Sequence, residues 1–388
     1  MELTNFIQKN DINTFESLKS VLENEPFNLK IKEDNNYPTL FLIHNQDNSN
    51  FNNKIVNECN GIILDKNTLK IVCYTFDKCS DEQNIPDNLD KNKLFLEYAI
   101  EGSLIRLYYY DNKWIFSTKR CIDASKSKWL SNKNFVQLFN ECLGTINMNI
   151  DTNYCYSFII SHPENNIFSK NNAPKLYHIS TRNMNNLEEV NMNIRVPVLE
   201  KEIISQNVEE FVQEVINGTT NNTNTFFEGY MFIDSNYNRW KFQKPYFKKV
   251  RTLWGNNNNR FFRYLELRKD VNLLQEYLTY FPFDKDIFLS YEASIHDFSR
   301  IILDYYSKKH ILKVDKNVPF YFSKLIYRLH GDYFKTKIKT DHNKIMIFLL
   351  ELDPKQICFM MNKHKEATKK EINNTNQFDT TYVDMEVE

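Results

Sequence analysis

The sequence predicts an α+β protein in which an antiparallel-sheet domain is followed by a small all-helical domain, and three observations carry that prediction. Up to about residue 246, short apolar runs are separated by turns rich in Asn, Asp and Lys, which is how antiparallel strands read. Beyond that point apolar residues recur at three- and four-residue intervals in longer segments punctuated by Pro282, Pro319 and Pro354, the pattern of packed helices. The length of 388 residues, with 41% hydrophobic and 26% charged content, suits two cores. The expected boundaries are 1–250 for the sheet domain and 251–362 for the helical one. A disordered tail is expected over 363–388, where the chain turns basic and then acidic with little apolar content.

Taken in order, 13–23 has helical spacing (Phe15, Leu18, Val21, Leu22) with Asn13 or Thr14 as cap. Short strands follow over 39–42, 61–64 and 69–76. The stretch 94–110 reads as two strands meeting at a turn: Leu94, Leu96 and Tyr98 alternate, 104–110 is apolar and aromatic, and Glu101, Gly102 and Ser103 supply the break. A helix is expected over 134–143, strands over 154–160, 175–180, 229–234 and 239–242, a helix near 209–216 and a loop over 217–225. Helices over 261–278, 286–306, 320–329 and 343–352 complete the chain.

Composition narrows the function classes. Lys plus Arg (49) and Asp plus Glu (50) nearly cancel, so attraction to nucleic acid has to come from a local patch. Seven cysteines without a Cys-x-x-Cys pair or zinc spacing point to reduced thiols in a cytoplasmic compartment. The start lacks a basic and then apolar leader, and no apolar run is long enough to span a bilayer, so no membrane partner is expected.

Glycine is scarce, with only seven in the chain. Three of these follow a polar residue at a strand edge: Gly61 after Asn60, Gly102 after Glu101, and Gly229 after Glu228. Such glycines are kept where no Cβ fits, at positive φ or where a ligand approaches the backbone. Together with Lys119 and the run from Arg239 to Lys244, their order resembles the phage-type ATP-dependent RNA ligases, a family of covalent nucleotidyltransferases. The resemblance covers roughly two thirds of the chain, from the stretch Glu58-Cys59-Asn60-Gly61 to Lys244. Weaker likenesses lie at 161–168, to the family's strand-ending Pro-x-Asn-Arg-Ile-Val, and at 325–331 and 352–359, to the C-terminal domain of related ligases of large DNA viruses.

The resemblance implies a nucleotidyltransferase (adenylyltransferase) domain in which a lysine of Lys-x-Asp-Gly attacks the α-phosphate of ATP, AMP passes to an RNA 5′-phosphate, and a 3′-hydroxyl displaces it. Here the matching tetrad is Ala99, Ile100, Glu101 and Gly102, and a methyl group cannot form a phosphoramide bond. Three other positions depart as well: Asn60 stands for an arginine, Ile159 for a carboxylate and Gln243 for a lysine. What the resemblance leaves for a nucleotide pocket is Glu101, Gly102, Ser103, Lys119, Glu228, Gly229 and Lys241, with ATP and Mg2+ as cofactors if the pocket is retained and Glu228 as the metal ligand. Glu101 and Glu228 also read as polar turn residues. Lys119 also reads as an exposed strand end or, one strand away from the usual attack position, as a substitute nucleophile. Cys121 and His162 read as packing or surface residues.

A separate signal is the basic run Arg239, Lys241, Lys244, Lys248, Lys249 and Arg251, interleaved with Trp240, Phe242, Tyr246 and Phe247. Cations among rings suit an RNA groove, and equally a solvated basic face. The expectation is therefore a pseudoenzyme that binds nucleotide or RNA, with RNA and a protein of an RNA-processing complex as partners. Two alternatives stand beside it: an active RNA ligase whose nucleophilic lysine has been replaced by the present Ala99, and a pure protein-interaction subunit.

Overall fold

The computed structural model describes residues 1–79, 94–167, 173–203, 208–217, 227–255, 258–315 and 317–381. The chain divides into two compact units, Met1–Arg251 and Thr252–Glu388. The loop expected over 217–225 lies outside the described residues from 218 onward.

The first unit opens with α1 (Glu2–Lys9) and α2 (Phe15–Leu22), the latter capped by Thr14, whose side chain accepts from the Ser17 amide. They pack Leu3, Phe15, Leu18 and Leu22 on Phe41, Ile43, Ile62 and Leu64. Those four residues belong to an antiparallel sheet in the order β1 (Lys30–Glu33), β2 (Leu40–His44), β3 (Asn60–Asp65), β4 (Ile71–Cys73). The alternate residues Leu40, Leu42, Ile63 and Cys73 pack with Tyr108, Ile115 and Cys155 of a second sheet. Burial on both faces is why β2 is continuously apolar. The sequence reading has no counterpart for α1, β1 or the short α3 (Lys54–Glu58). α3 brings Glu58 to the start of α1, where its carboxylate oxygens accept from the amides of Glu2 and Leu3 at 2.8 and 2.9 Å. The strand expected over 69–76 is confined to β4 (Ile71–Cys73); it starts late because Leu69 takes a left-handed turn conformation at φ 53°.

Where the sequence suggests two strands meeting at one turn, the chain changes sheet. β5 (Phe95–Ile100) belongs to a third sheet, in the order β11 (Lys201–Ile203), β5, β12 (Phe227–Ile233), β13 (Arg239–Gln243). β6 (Ser103–Tyr110) belongs to the second, in the order β10 (Glu189–Val190), β9 (Lys175–Asn183), β8 (Tyr154–Ser161), β6, β7 (Lys113–Ser117). α4 (Phe135–Leu143), started by a capping box of Asn134 and Gln137, lays Leu138 and Phe139 on Ile105, Tyr156 and Phe158. α5 (Val208–Asn217) lays Val212 and Val215 on Tyr230, Phe232 and Phe242. α6 (Pro245–Trp254) follows β13 directly.

In the second sheet His178 is buried, its Nε2 2.9 Å from Thr181 Oγ1. Burial pulls its imidazole down to about 4, against a backbone hydrogen bond at Ser180 that pulls it up. The unfolded chain takes up the proton near pH 6.5 and the folded chain does not, so stability is full above that pH and falls as pH drops toward about 4. The expected loss across that window is about 3 kcal/mol. Urea midpoints at pH 7 and 4.5 for the wild type and His178→Asn should converge at the lower pH; parallel midpoints would remove His178 as the cause.

The second unit is helical: α7 (Arg260–Leu267), α8 (Val271–Tyr280), a 3-10 turn at Pro282–Asp284, α9 (Lys285–Tyr306), a π-helical turn at Ser307–Ile311, α10 (Phe320–Thr336), α11 (His342–Glu351) and α12 (Pro354–Thr381). The single helix expected over 261–278 is two, because the Asp270 side chain accepts from the amides of Asn272 and Leu273 and starts a new one. α12 runs to Thr381, across much of the stretch from 363 expected as a tail, and 382–388 lie outside the described residues. Lys, Glu, Gln and Ala have high helix propensity whether or not they are buried, and Lys363 pairs with Glu366 one turn on. Among the described residues no helix is long and apolar enough to cross a membrane.

Candidate functional site

The three glycines singled out in the sequence each seat one strand against another. A Cβ on Gly102 would stand 2.4 Å from the Ile160 carbonyl oxygen, and one on Gly229 would stand 2.0 Å from that of Phe242. Gly61, at φ 96°, would meet the Lys119 backbone at 2.7 Å. The close approach that glycine permits is therefore protein backbone in all three cases.

Ala99 lies opposite Gly229 in the third sheet. Leu96, Tyr98 and Ile100 join the α5 core, and Glu97 and Ala99 lie on the other face of β5. That face borders a cavity of about 90 Å3 whose lining includes Leu104, Ile159, Ile179, Leu199 and Met231. Small-ligand sites occupy roughly 300 Å3 or more, so the residues around Ala99 do not fit a nucleotide there. The polar groups of the site are engaged within the protein. Glu101 is buried and its Oε1 accepts from the Ile167 amide at 2.6 Å. Ser103 Oγ accepts from Asn165 Nδ2 at 2.8 Å. Glu228, buried, accepts from Lys241 Nζ and, at 3.3 Å, from Gln243 Nε2. With an ammonium and an amide on one of its oxygens, this carboxylate is a poor fit to Mg2+, which demands near-octahedral oxygen ligands.

Lys119 stands two residues after the end of β7, its ammonium 5.6 Å from the Phe76 ring centroid. Burial pulls its amine down from the usual lysine range; Cys79 opposes this, and the charges of Arg106 and Lys241 add to it. Glu97, two residues before Ala99 on the same strand face, is held up by burial and pairs with Lys201 at 3.4 Å. The period of two in β5 was the signal that places Glu97 beside Ala99.

The basic run divides in the structure. Arg239, read as an RNA contact, is buried and clamped by Glu189, Nη1 to Oε2 at 3.0 Å and Nη2 to Oε1 at 2.5 Å. Glu189 also holds Arg182 at 3.2 Å. Arg239 sits 4.5 Å from the Phe76 ring and Arg182 4.4 Å from the Tyr74 ring. Lys244 lies 3.6 Å from the Phe227 ring centroid. Lys248, Lys249 and Arg251 are exposed on α6, whose opposite face buries Phe247, Val250 and Trp254. Beside the Ala99 cavity, and sharing Phe76 and Arg239 with it, opens a cleft of about 570 Å3. Tyr74, Lys78, Arg182 and Trp240 line its walls, with Phe51 and Asn238. This cleft was not legible in the sequence, because its walls come from segments more than a hundred residues apart.

His162, read as a packing or surface residue, is buried and bonds Glu141 at 3.0 Å. Glu141, His162 and Glu164 converge closely enough to suit a metal ion. The Lys133 ammonium bonds both carboxylates, at 2.9 and 2.7 Å, and supplies the positive charge there.

No family model matches the chain. Among curated proteins it is 36% identical over 94 residues to the "Immediate-early protein ICP-46 homolog" of Invertebrate iridescent virus 3, covering 22% of this chain and 21% of that protein. It is 26% identical over 317 residues to the homolog of Invertebrate iridescent virus 6, covering 71% and 68%. It is 24% identical over 181 residues to the "Putative bifunctional polynucleotide kinase/RNA ligase" of Autographa californica nuclear polyhedrosis virus, covering 41% and 26%. The chain thus spans about a fifth of the first of these relatives and a quarter of the third. Among solved structures it is similar to the "Putative ATP-dependent DNA ligase from Aquifex aeolicus" (TM-score 0.40, 12% identity, 76% of this chain and 79% of that one). An archaeal ATP-dependent RNA ligase gives TM-score 0.39 at 10% identity, covering 71% and 70%.

Proposed function

We propose that this protein is an RNA ligase-like protein that binds RNA without forming lysyl-AMP. The observation that carries the reading is Ala99, opposite Gly229 on β12, with a methyl group at the position the resemblance gives to the nucleophile, beside a cavity too small for a nucleotide. The order of the motifs and the 24% identity over 181 residues to the viral "Putative bifunctional polynucleotide kinase/RNA ligase" support the family half of it. ATP and Mg2+ are not part of the proposal at Ala99, because the cavity and the engaged Glu228 do not fit them.

The RNA half rests on the exposed cations of α6, namely Lys248, Lys249 and Arg251, together with Lys244. Cations held against phosphates release counterions, so affinity for single-stranded RNA should fall steeply with salt. Lys248→Ala with Lys249→Ala should lower the slope of log K against log salt by about one unit for each phosphate no longer neutralised. An unchanged slope would mean a solvated face, and absence of RNA binding at low salt would favour the protein-interaction subunit.

One observation favours a second reading. Lys119 is an amine whose burial draws it toward the neutral form, the property a nucleophilic lysine needs. Incubation with labelled ATP and Mg2+ followed by denaturation is expected to leave the protein unlabelled; a label mapped to Lys119 would establish that second reading in place of the first.

A further inference from the structure

Two cysteines far apart in sequence meet in the core of the first unit, beside a cation that has no carboxylate partner among the described residues. Cys73, the last residue of β4, and Cys155, on β8, have their sulfurs 3.5 Å apart, and both are buried. Cys73 Sγ is also 3.8 Å from Ser117 Oγ, which accepts from Arg106 Nε at 3.1 Å. Arg106 is itself buried and otherwise donates to the carbonyls of Gly61 and Thr118. An uncompensated buried guanidinium is costly, and the Cys73 thiol, linked to it through Ser117, is a group able to take the negative charge.

We propose that Cys73 and Cys155 are an oxidisable dithiol, converted by a hydroperoxide to a disulfide that ties the edge strand of the first sheet to the second. The Cys73 thiolate attacks the outer peroxide oxygen, forming an S–O bond as the O–O bond breaks, and the alcohol leaves with a proton. Cys155 then attacks the resulting sulfenic acid; the S–S bond forms, the S–O bond breaks, and water departs with the Cys155 proton. Overall two thiols and ROOH give a disulfide, ROH and H2O.

Other buried cysteines mark the contrast. Burial pushes the Cys142 thiol up to about 12 and Cys59 well above its ordinary value. Burial acts on Cys73 in the same direction, but the hydrogen bond with Cys155 and then the charge of Arg106 outweigh it, and its thiol is lowered. Access is through β4, a three-residue edge strand whose pairing with β3 is irregular between Ile63 and Leu64. Such a strand opens locally at low cost. The consequence reaches the candidate site: oxidation removes the thiol able to take the charge opposite Arg106, whose guanidinium holds the carbonyls of Gly61 and Thr118, next to Lys119.

The test uses the full chain, treated with hydrogen peroxide, quenched, unfolded and alkylated, then digested without reductant and analysed by mass spectrometry. The expected product is a peptide containing Cys73 linked to one containing Cys155, abolished by dithiothreitol and by Cys155→Ser. In that variant a dimedone adduct should appear on Cys73, because the sulfenic acid has no resolving thiol. The oxidised wild type should also melt at a higher temperature, since the closed loop is long. Recovery of both thiols fully alkylated from peroxide-treated, folded protein would overturn the proposal, as would oxidation confined to the more accessible Cys79, Cys121 and Cys358.

Discussion

Glu189→Ala is expected to destabilise the protein by about 3–5 kcal/mol, the usual result of leaving buried charges without their partner. The carboxylate is almost wholly buried and serves two guanidinium groups, Arg182 on the same sheet and Arg239 on β13 of the third sheet. Neither arginine has a second carboxylate among its described partners. Glu189→Gln keeps the shape and one acceptor oxygen, so it should lose less than the alanine variant but more than about 1 kcal/mol, because the two cations then face each other without a charge between them. Urea unfolding followed by tryptophan fluorescence reads both values. A loss under about 1 kcal/mol for Glu189→Ala would mean that solvent reaches the arginines through the neighbouring cleft and that the pair is not a structural tie between the sheets.

The same network shows what the sequence could and could not disclose. Local signals were legible: a cap at Asn13 or Thr14, which the structure places at Thr14, the alternation of β5, the apolar and aromatic run of β6, the break at Gly102, and the change from strands to helices near residue 246. These depend on neighbours within a few residues. What was not legible depends on which sheet a strand joins. β5 and β6 look like partners across a tight turn, yet each pairs elsewhere, and nothing within 94–110 encodes strands β12 and β8. The basic run is the clearest case. Its spacing places Arg239 and Lys248 in one series, but the backbone changes from strand to helix at Pro245, so one cation is buried on Glu189 and the other is exposed on α6. A helix start therefore separates a structural arginine from solvent-facing lysines within ten positions.

Ala99→Lys alone is expected not to give lysyl-AMP or to seal RNA, and the reason is as much space as chemistry. The cavity beside Ala99 is about 90 Å3. At that size the cavity has no room for a nucleotide beside the added side chain. A nucleophilic lysine also needs groups that neutralise the developing phosphate charge. At the positions that the resemblance assigns to such groups stand Asn60, Ile159 and Gln243. Loss of one preorganised donor costs about 10²-fold or more in rate, so three absent together leave the new amine without measurable turnover. The introduced ammonium would moreover lie near Arg239 and Lys241, with Glu97 the acidic residue among the described lining. Reverting Asn60→Arg, Ile159→Glu and Gln243→Lys in the same chain should do better than Ala99→Lys alone, since Ile159→Glu also removes an apolar wall of the cavity. The measurement is transfer of labelled AMP from ATP to protein, with sealing of nicked RNA as the second readout. Efficient lysyl-AMP formation by the single variant would mean that the cavity opens readily and the other three departures are tolerated, and the chain would then be read as a ligase lacking only its nucleophile.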